Sequence, residues 1–543
     1  MNLPAASGHR PSGPRARTLG RFLLWFLLLP LLFAISARAH VGSPNVIFEG
    51  NAGPHPVRVV IRPPQVVPGL AEISIRALAP GVERITVLPV HWRAGKGGSP
   101  PPDDALLVRG ETNLYHATLW LMASGAYTVN VHVTGAAGAG DVMVPVNSIA
   151  TARLAMPPWY GGLLIALASL LFLAAVKLVG AAWGEALLAP ADPIVPEVRR
   201  RSRLAMAGAT LLFTAAVFGG KAWWDAVDRD YRNNRLYRPI PVHADVRLTN
   251  NLPILRLRVE LTGTTQRHWT PLQPDHGKLV HLFLIRSEEP DTFAHLHPLQ
   301  RNSTTFETPL PPLPGGNYTV IADLTHETGF TQTLVASADL PDPPAAVNNL
   351  PRRAGASDPF CGVPVRRSPS AAGAVDGFDP DDSWHFGDPV PAPGDTNAST
   401  CLLPGGYVMH WHKDLPLLSR RETSLRLSVT HSNGSPAPLQ PYIGMAGHAA
   451  IRHADGGVFA HLHPAGTISM AAQEAFVRRE AKRLNQPAPT TNSTPHLSFT
   501  NRPHKVSFPY EFPRPGRHRL WVQVKCDGRV LTGVFDFAVA APE

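Results

Sequence analysis

The sequence predicts a mainly β protein: three extracytoplasmic immunoglobulin-like β-sandwich domains plus a two-helix transmembrane hairpin. Three observations predict it. Proline is abundant (57 residues) and charged residues make up only 17%, a balance that favours short strands and turns over long polar helices. Short β-branched runs, separated by Pro, Gly and Asp clusters, recur on both sides of two apolar segments of membrane-spanning length. The string FAHLHP occurs twice, at 293–298 and 459–464, in similar strand-rich surroundings, which marks an internal repeat.

Residues 1–39 read as a signal peptide. Arg10, Arg15, Arg17 and Arg21 precede the apolar run FLLWFLLLPLLFAI at 22–35, and Ala37-Arg38-Ala39 follows it. A basic start, a short apolar stretch and an A-x-A site form a secretory leader. The run is short for an uncleaved membrane anchor, so cleavage after Ala39 is expected.

Residues 40–157 form the first predicted β-sandwich, facing the periplasm. VRVVIRP (57–63), AEISIRAL (71–78), ERITVLPVHW (83–92), HATLWL (116–121) and YTVNVHVTG (127–135) carry strand patterning between turn signals. Cleavage after Ala39 would leave His40 as the N-terminus, where its α-amine and ring nitrogen could chelate Cu(II). His55, His91, His116 and His132 are the candidates for completing that site. The alternative is that cleavage leaves a histidine there by coincidence.

The two membrane helices are expected at 159–182 and 204–224. Trp159, Tyr160, Trp223 and Trp224 fall at one side of the hairpin, as interfacial aromatics do. Lys177 and Lys221, near helix ends, can snorkel. The loop 183–203 contains Arg199, Arg200, Arg201 and Arg203, so the positive-inside rule places it in the cytoplasm. Both flanking regions then lie in the periplasm of a bacterial inner-membrane protein. The formal net charge of +10 derives mainly from arginine, part of it in these topogenic positions. No basic run is interleaved with aromatics, so no nucleic acid partner is expected.

The first His-motif domain is placed at 235–340 and the second at 405–541. The first contains GKLVHLFLIRSEEPDTFAHLHP (277–298) and the second GMAGHAAIRHADGGVFAHLHP (444–464). A strand precedes each motif: ILRLRVELT (254–262) and SLRLSVTH (424–431). Asp455-Gly456 signals a two-residue type I′ hairpin turn. Centring the turn there pairs His448 with His463 and Ala450 with His461. Centring the first loop on Glu289 pairs His281 with His297 and Phe283 with His295. Side chains alternate along a strand, so each copy presents three histidines on one sheet face.

Directly opposed residues have Cβ atoms about 4.5–5.5 Å apart, close enough for three imidazoles to converge on one ion. The predicted metal ligands are therefore His281, His295 and His297 in one copy and His448, His461 and His463 in the other. Met445 is added in the second copy and His40 at the mature N-terminus. Met409, His410 and His412 in YVMHWHK are further soft and borderline donors near the second copy. Imidazole suits copper and zinc alike; the thioethers and the periplasm favour a copper ion, with zinc possible. In the competing reading the histidines are packing residues of a non-catalytic interaction module for a periplasmic or membrane protein partner.

Residues 341–404, rich in Pro, Gly, Ala, Ser and Asp, read as a linker. Cys361 and Cys401 sit towards its ends and would form a disulfide in an oxidising compartment or remain free thiols able to bind metal. Cys526 shares strand parity with Val522 and Val524 and reads as a core residue. Residues 467–484 read as an amphipathic helix. No Ser-His-Asp set, H-E-x-x-H or phosphate loop is present, so no enzyme activity is expected.

The run YIGMAGHAAIRHADGGVFAHLHPAGTISMAA (442–472), with PDHGKLVHLFLIR and the first FAHLHP as its companion, resembles stretches of uncharacterised bacterial secreted or membrane-anchored proteins. MASGAYTV (122–129) resembles the closing hairpin of YtkA-like and FixH-like immunoglobulin-type domains. These resemblances imply extracytoplasmic β domains associated with metal handling.

Overall fold

A computed structural model describes residues 45–186, 188, 193–249, 252–263, 269–342, 379–487 and 503–542. The signal peptide, His40 and Cys361 lie outside the described residues.

The N-terminal domain contains β1 (Val46–Ala52), β2 (His55–Arg62), β3 (Gly69–Ala77), β4 (Val82–His91), β5 (Asp103–Leu107), β6 (Leu114–Leu121), β7 (Gly125–Gly135) and β8 (Gly138–Ser148). They follow the order β1-β2-β3-β6-β5-β4-β7-β8. Alternate residues such as Ile73, Val87, Leu119 and Val131 point into one core, as a period-two pattern requires.

Two helices follow, α1 (Pro158–Glu185) and α2 (Pro196–Asp230). Both are long and apolar enough to cross a membrane, and Leu163, Leu170, Leu211 and Phe218 stand exposed along them. Gly180 lets α1 approach α2: a Cβ there would lie 2.4 Å from Met206 Cγ. The arginines expected in a loop at 183–203 occupy the first turns of α2 instead, where Pro at the first turn starts the helix without losing a hydrogen bond. The chain entering α1 meets the chain leaving α2, where Tyr237 N donates to Ala150 O at 2.8 Å.

The first repeat comprises β9 (Val242–Thr249), β10 (Leu252–Val259), β11 (Leu272–Gln273), β12 (Val280–Arg286), β13 (Thr292–Leu296), β14 (Leu299–Asn302), β15 (Thr305–Pro309), β16 (Gly316–His326), β17 (Thr331–Leu340) and β18 (Ser383–Phe386). The second comprises β19 (Thr400–Leu403), β20 (Tyr407–His412), β21 (Glu422–His431), β22 (His448–His453), β23 (Phe459–Leu462), α3 (Met470–Arg483), β24 (Lys505–Glu511), β25 (Gly516–Cys526) and β26 (Arg529–Val539). The strand order β17-β16-β12-β13 of the first repeat recurs as β26-β25-β22-β23 in the second, and β9-β10-β15 recurs as β20-β21-β24. In each repeat a hydrophobic core drawn from both sheets lies between them. Cys526 is part of the second core, as its parity predicts.

Residues 379–404, expected within the linker, are structured. β18 pairs with β13 and β19 pairs with β20. Cys401 is a buried strand residue whose Sγ accepts from Val534 N at 3.4 Å. The second domain therefore begins ahead of residue 405. The predicted helix is α3, its first turn capped by Ser469 Oγ, which accepts from Ala472 N at 3.1 Å.

The N-terminal domain docks on the second repeat through β1. Glu49 N donates to Ala465 O and Thr467 N to Ile47 O, both at 2.9 Å. Arg62 pairs with the buried carboxylate of Glu511, and Arg76 with Glu422 at 2.7 Å.

Candidate metal centre

The FAHLHP strands owe their position to a two-faced pattern. Along β12, Val280, Leu282 and Leu284 enter the repeat's own core. His281, Phe283 and Ile285 emerge on the opposite face, yet they too are buried. The second repeat covers them: Phe283, Ile285, Phe293 and Ile321 pack against Ala450, Phe459, Trp521 and Val534. The two histidine faces meet across this interface.

Both hairpin registers follow the turn-centring expectation: Phe283 faces His295, and Ala450 faces His461. The second turn differs in type. His453 N donates to Val458 O at 3.0 Å and Gly456 N to His453 O at 2.9 Å, so residues 454–457 form a four-residue loop. Its centre is that of the expected two-residue turn, which is why the register is unchanged.

His281, His295 and His297 form one group whose ligand atoms lie within 4.8 Å of one another, and His448, His461 and His463 form a second. Ring centroids within the triads are 4.5–5.6 Å apart. Between the triads, His281 and His461 are 5.2 Å apart, His295 and His461 5.5 Å, and His295 and His448 6.1 Å. Two separately predicted sites therefore meet in one buried cluster.

The outer nitrogens of three of these rings are tied down. His297 Nδ1 lies 3.0 Å from Asp382 Oδ1, His463 Nδ1 3.1 Å from Ile468 O, and His295 Nδ1 3.0 Å from Gln523 Oε1. His461 Nδ1 lies 3.8 Å from Asp323 Oδ2. Metal-binding histidines are oriented in this way, the second nitrogen held by a carboxylate, carbonyl or amide. The inner nitrogens behave differently. His297 Nε2, both nitrogens of His448, His461 Nε2 and His463 Nε2 are buried without a hydrogen-bond partner. Each such orphan costs about 1–3 kcal/mol if left so. His281 Nδ1 and His295 Nε2 are hydrogen-bonded to each other at 3.1 Å, close to the spacing of two nitrogens on one ion, and His281 Nε2 lies 3.3 Å from Asp275 O.

Burial, reinforced by repulsion from neighbouring rings, holds His281, His295, His448 and His461 well below the ordinary histidine range, and His463 at about 4. The rings are thus neutral at neutral pH, the form that donates a lone pair to a metal. Burial pushes Asp323 up to about 6.

Other predicted donors lie elsewhere. Met445 packs against the apolar core of the N-terminal domain. Met409 is buried in the second repeat's core, His410 pairs with Thr430 and His412 with Ser428. His55 contacts Gly138 O, His91 packs on Tyr127 and His132 pairs with Asp141. Among the described residues neither these three nor His116 belongs to a metal-competent group.

Five residues at the centre escaped sequence reasoning. Asp323 and Gln523 are lone polar residues in the apolar runs TVIADL and LWVQV, a signal that was available. Asp382 lay in the supposed linker. Tyr442 OH lies 3.4 Å from His295 Nδ1. His276 sits in a tight turn, Asp275–Lys278, at φ 50°. Its Nε2 is buried without a hydrogen bond, and its ring lies 5.1 Å from His463 and 6.0 Å from His448. A further group, His297, Asp379 and Asp382, already has a cation: Lys278 Nζ donates to Asp379 Oδ1 at 2.5 Å.

A family model described as "Domain of unknown function (DUF8832)" matches residues 403–541. No curated protein matches the chain. Solved structures similar to parts of it include an engineered protein (22% identity, TM-score 0.14), covering 17% of this chain and 19% of that one. Dimeric latent PorU from Porphyromonas gingivalis is 8% identical, with 88% of this chain and 32% of that chain covered and a TM-score of 0.12. Trypsin-activated alpha-2-macroglobulin from Escherichia coli is 10% identical, with 93% and 24% covered and a TM-score of 0.17. The chain thus spans a third or less of these structures, and likeness at this level carries no weight for fold or function.

Proposed function

We propose that this is a membrane-anchored periplasmic protein that binds or senses a transition-metal ion, copper in the first place, without catalysing a reaction. The observation that carries the reading is a buried cluster of six imidazoles in which Nε2 of His297, His461 and His463 and both nitrogens of His448 have no partner, while Nδ1 of His297 and His463 is held. A packed structural histidine would satisfy both nitrogens. With Met445 outside the cluster, the preference for copper rests on the all-imidazole donors and the extracytoplasmic setting; zinc satisfies the same donors.

The membrane assignment rests on α1 and α2 as a transmembrane hairpin with the arginines of early α2 on the cytoplasmic side. The tether between Ala150 and Tyr237 supports both flanks lying on one side of it. We read the three β regions as immunoglobulin-like sandwiches related to YtkA-like and FixH-like domains.

The alternative, an interaction module with structural histidines, draws on Phe283 stacking on His295 at 4.5 Å. Metal analysis of the purified full chain, grown with copper and zinc, separates the two. Stoichiometric metal that disappears in the double variant His281→Ala/His448→Ala supports the centre. Equal metal in parent and variant removes the histidines from any binding role.

A further inference from the structure

We infer that the two triads are halves of one two-metal centre, built jointly by the repeats, that loads both ions together. This rests on the metal-binding reading above and concerns how the site is built.

Ring centroids lie 5.2–6.1 Å apart between triads, against 4.5–5.6 Å within them, so no protein layer divides two sites. The supporting bonds also cross the interface. In β12 and β16, His281 faces Asp323; in β22 and β25, His448 faces Gln523. Asp323 and Gln523 are therefore equivalent positions, and each lies against the other repeat's middle histidine. Gln523 reaches His295, and Asp323 lies beside His461. The close ring pairs are reciprocal as well: His281 with His461, and His448 with His295. This is the contact pattern of an approximate two-fold axis. An ion in one triad is thus oriented partly by residues of the other repeat, and its binding fixes the interface that the second ion needs.

One departure from symmetry adds a ligand. The tight turn Asp275–Lys278 of the first repeat corresponds to Tyr442–Met445 in the second, each closed by a reciprocal pair of backbone hydrogen bonds. The second residue is His276 in one and Ile443 in the other, at φ 50° and 48°. The His276 ring lies 5.1 Å from His463 and 6.0 Å from His448, its Nε2 3.5 Å from Asp275 Oδ1, so a further imidazole stands beside the second triad and, among the described residues, none beside the first. Four nitrogens complete a tetrahedral ion and three leave an open position.

The test is titration of the full-length, detergent-solubilised protein with Zn(II), read by chelator competition and by metal retained after gel filtration. Two zinc ions per chain, taken up in one cooperative step, are expected. His295→Ala and His461→Ala, in opposite repeats, should each lose both ions. A variant of either kind that keeps one ion at parental affinity overturns the joint centre and leaves two independent sites. No zinc bound by the parent would instead overturn the metal-binding reading itself. Gln523→Leu leaves all six histidines in place and guards against misfolding of the alanine variants. It should weaken both ions by about ten- to a hundredfold, and weakening of only one also overturns the proposal.

Discussion

Replacing Asp323 by Asn should move metal-free stability and metal affinity in opposite directions. Asp323 is raised from 3.8 to about 6 by burial, opposed by the Thr333 hydroxyl, which donates to its Oδ1 at 2.6 Å. A folded-state pKa above the unfolded one means the folded protein binds the extra proton. The ionised carboxylate is therefore a burden at neutral pH, relieved as pH falls through about 6. Roughly two units correspond to ~3 kcal/mol at most. The side chain keeps 26% of its surface exposed, so solvent screening reduces the expectation to about 1–2 kcal/mol. Asp323→Asn removes this burden and retains an acceptor for Thr333. With chelator present, the variant should be more stable than the parent by that amount at pH 7.5 and equal to it near pH 4. Denaturant titration followed by amide exchange in β12 and β22 reads the difference. Metal affinity should fall, because an amide beside His461 makes the ring a weaker donor than a carboxylate does. A metal-free variant less stable than the parent at pH 7.5, or a gain that persists at pH 4, would refute the reasoning.

The buried histidines carry the opposite sign: their pKa values are depressed, so unfolded rings bind protons first. For His463, at about 4 against 6.5, acidification of metal-free protein through that window should cost on the order of 3 kcal/mol, measurable as a falling denaturation midpoint. Phe283→Ala removes a ring packed between His295, Phe459 and His461 and should destabilise by about 3–5 kcal/mol, with a loss of protection concentrated at the interface between repeats. Gly466 adopts φ +112°, and a Cβ there would lie 2.1 Å from Ile47 O; Gly466→Ala should release β1 from the second repeat, exposing it to limited proteolysis while β22–β23 stays protected. Cys526 is buried, and burial pushes its thiol up to about 12, so alkylating reagents should label it only after unfolding.

The mainly β character and the register of both histidine hairpins were legible because period-two alternation and turn position are local properties. What covers a strand's second face is not local. The alternation in VHLFLIR and FAHLHP places the histidines of each copy on one sheet face, and the register keeps them there. Phe283 and Ile285 make the histidine face apolar as well, a mark of burial on both faces, but nothing in one strand names its partner. The centre's supports lie far along the chain, Asp323 138 positions from His461 and Gln523 228 positions from His295, and sequence spacing carries no trace of them. Met445 shows the converse: it is three residues from His448, yet the turn it closes sends its side chain to another domain's core.

The crossed supports of Asp323 and Gln523 also bear on how such a centre could be assembled at all. A chain with one repeat could complete it only by finding a second copy, so its metal affinity would depend on protein concentration. Carrying both halves on one polypeptide replaces that encounter with a fixed effective concentration, and assembly no longer depends on protein concentration. Fusion also frees the halves to diverge, which is how one side can carry a carboxylate and a fourth imidazole where the other carries an amide and an isoleucine.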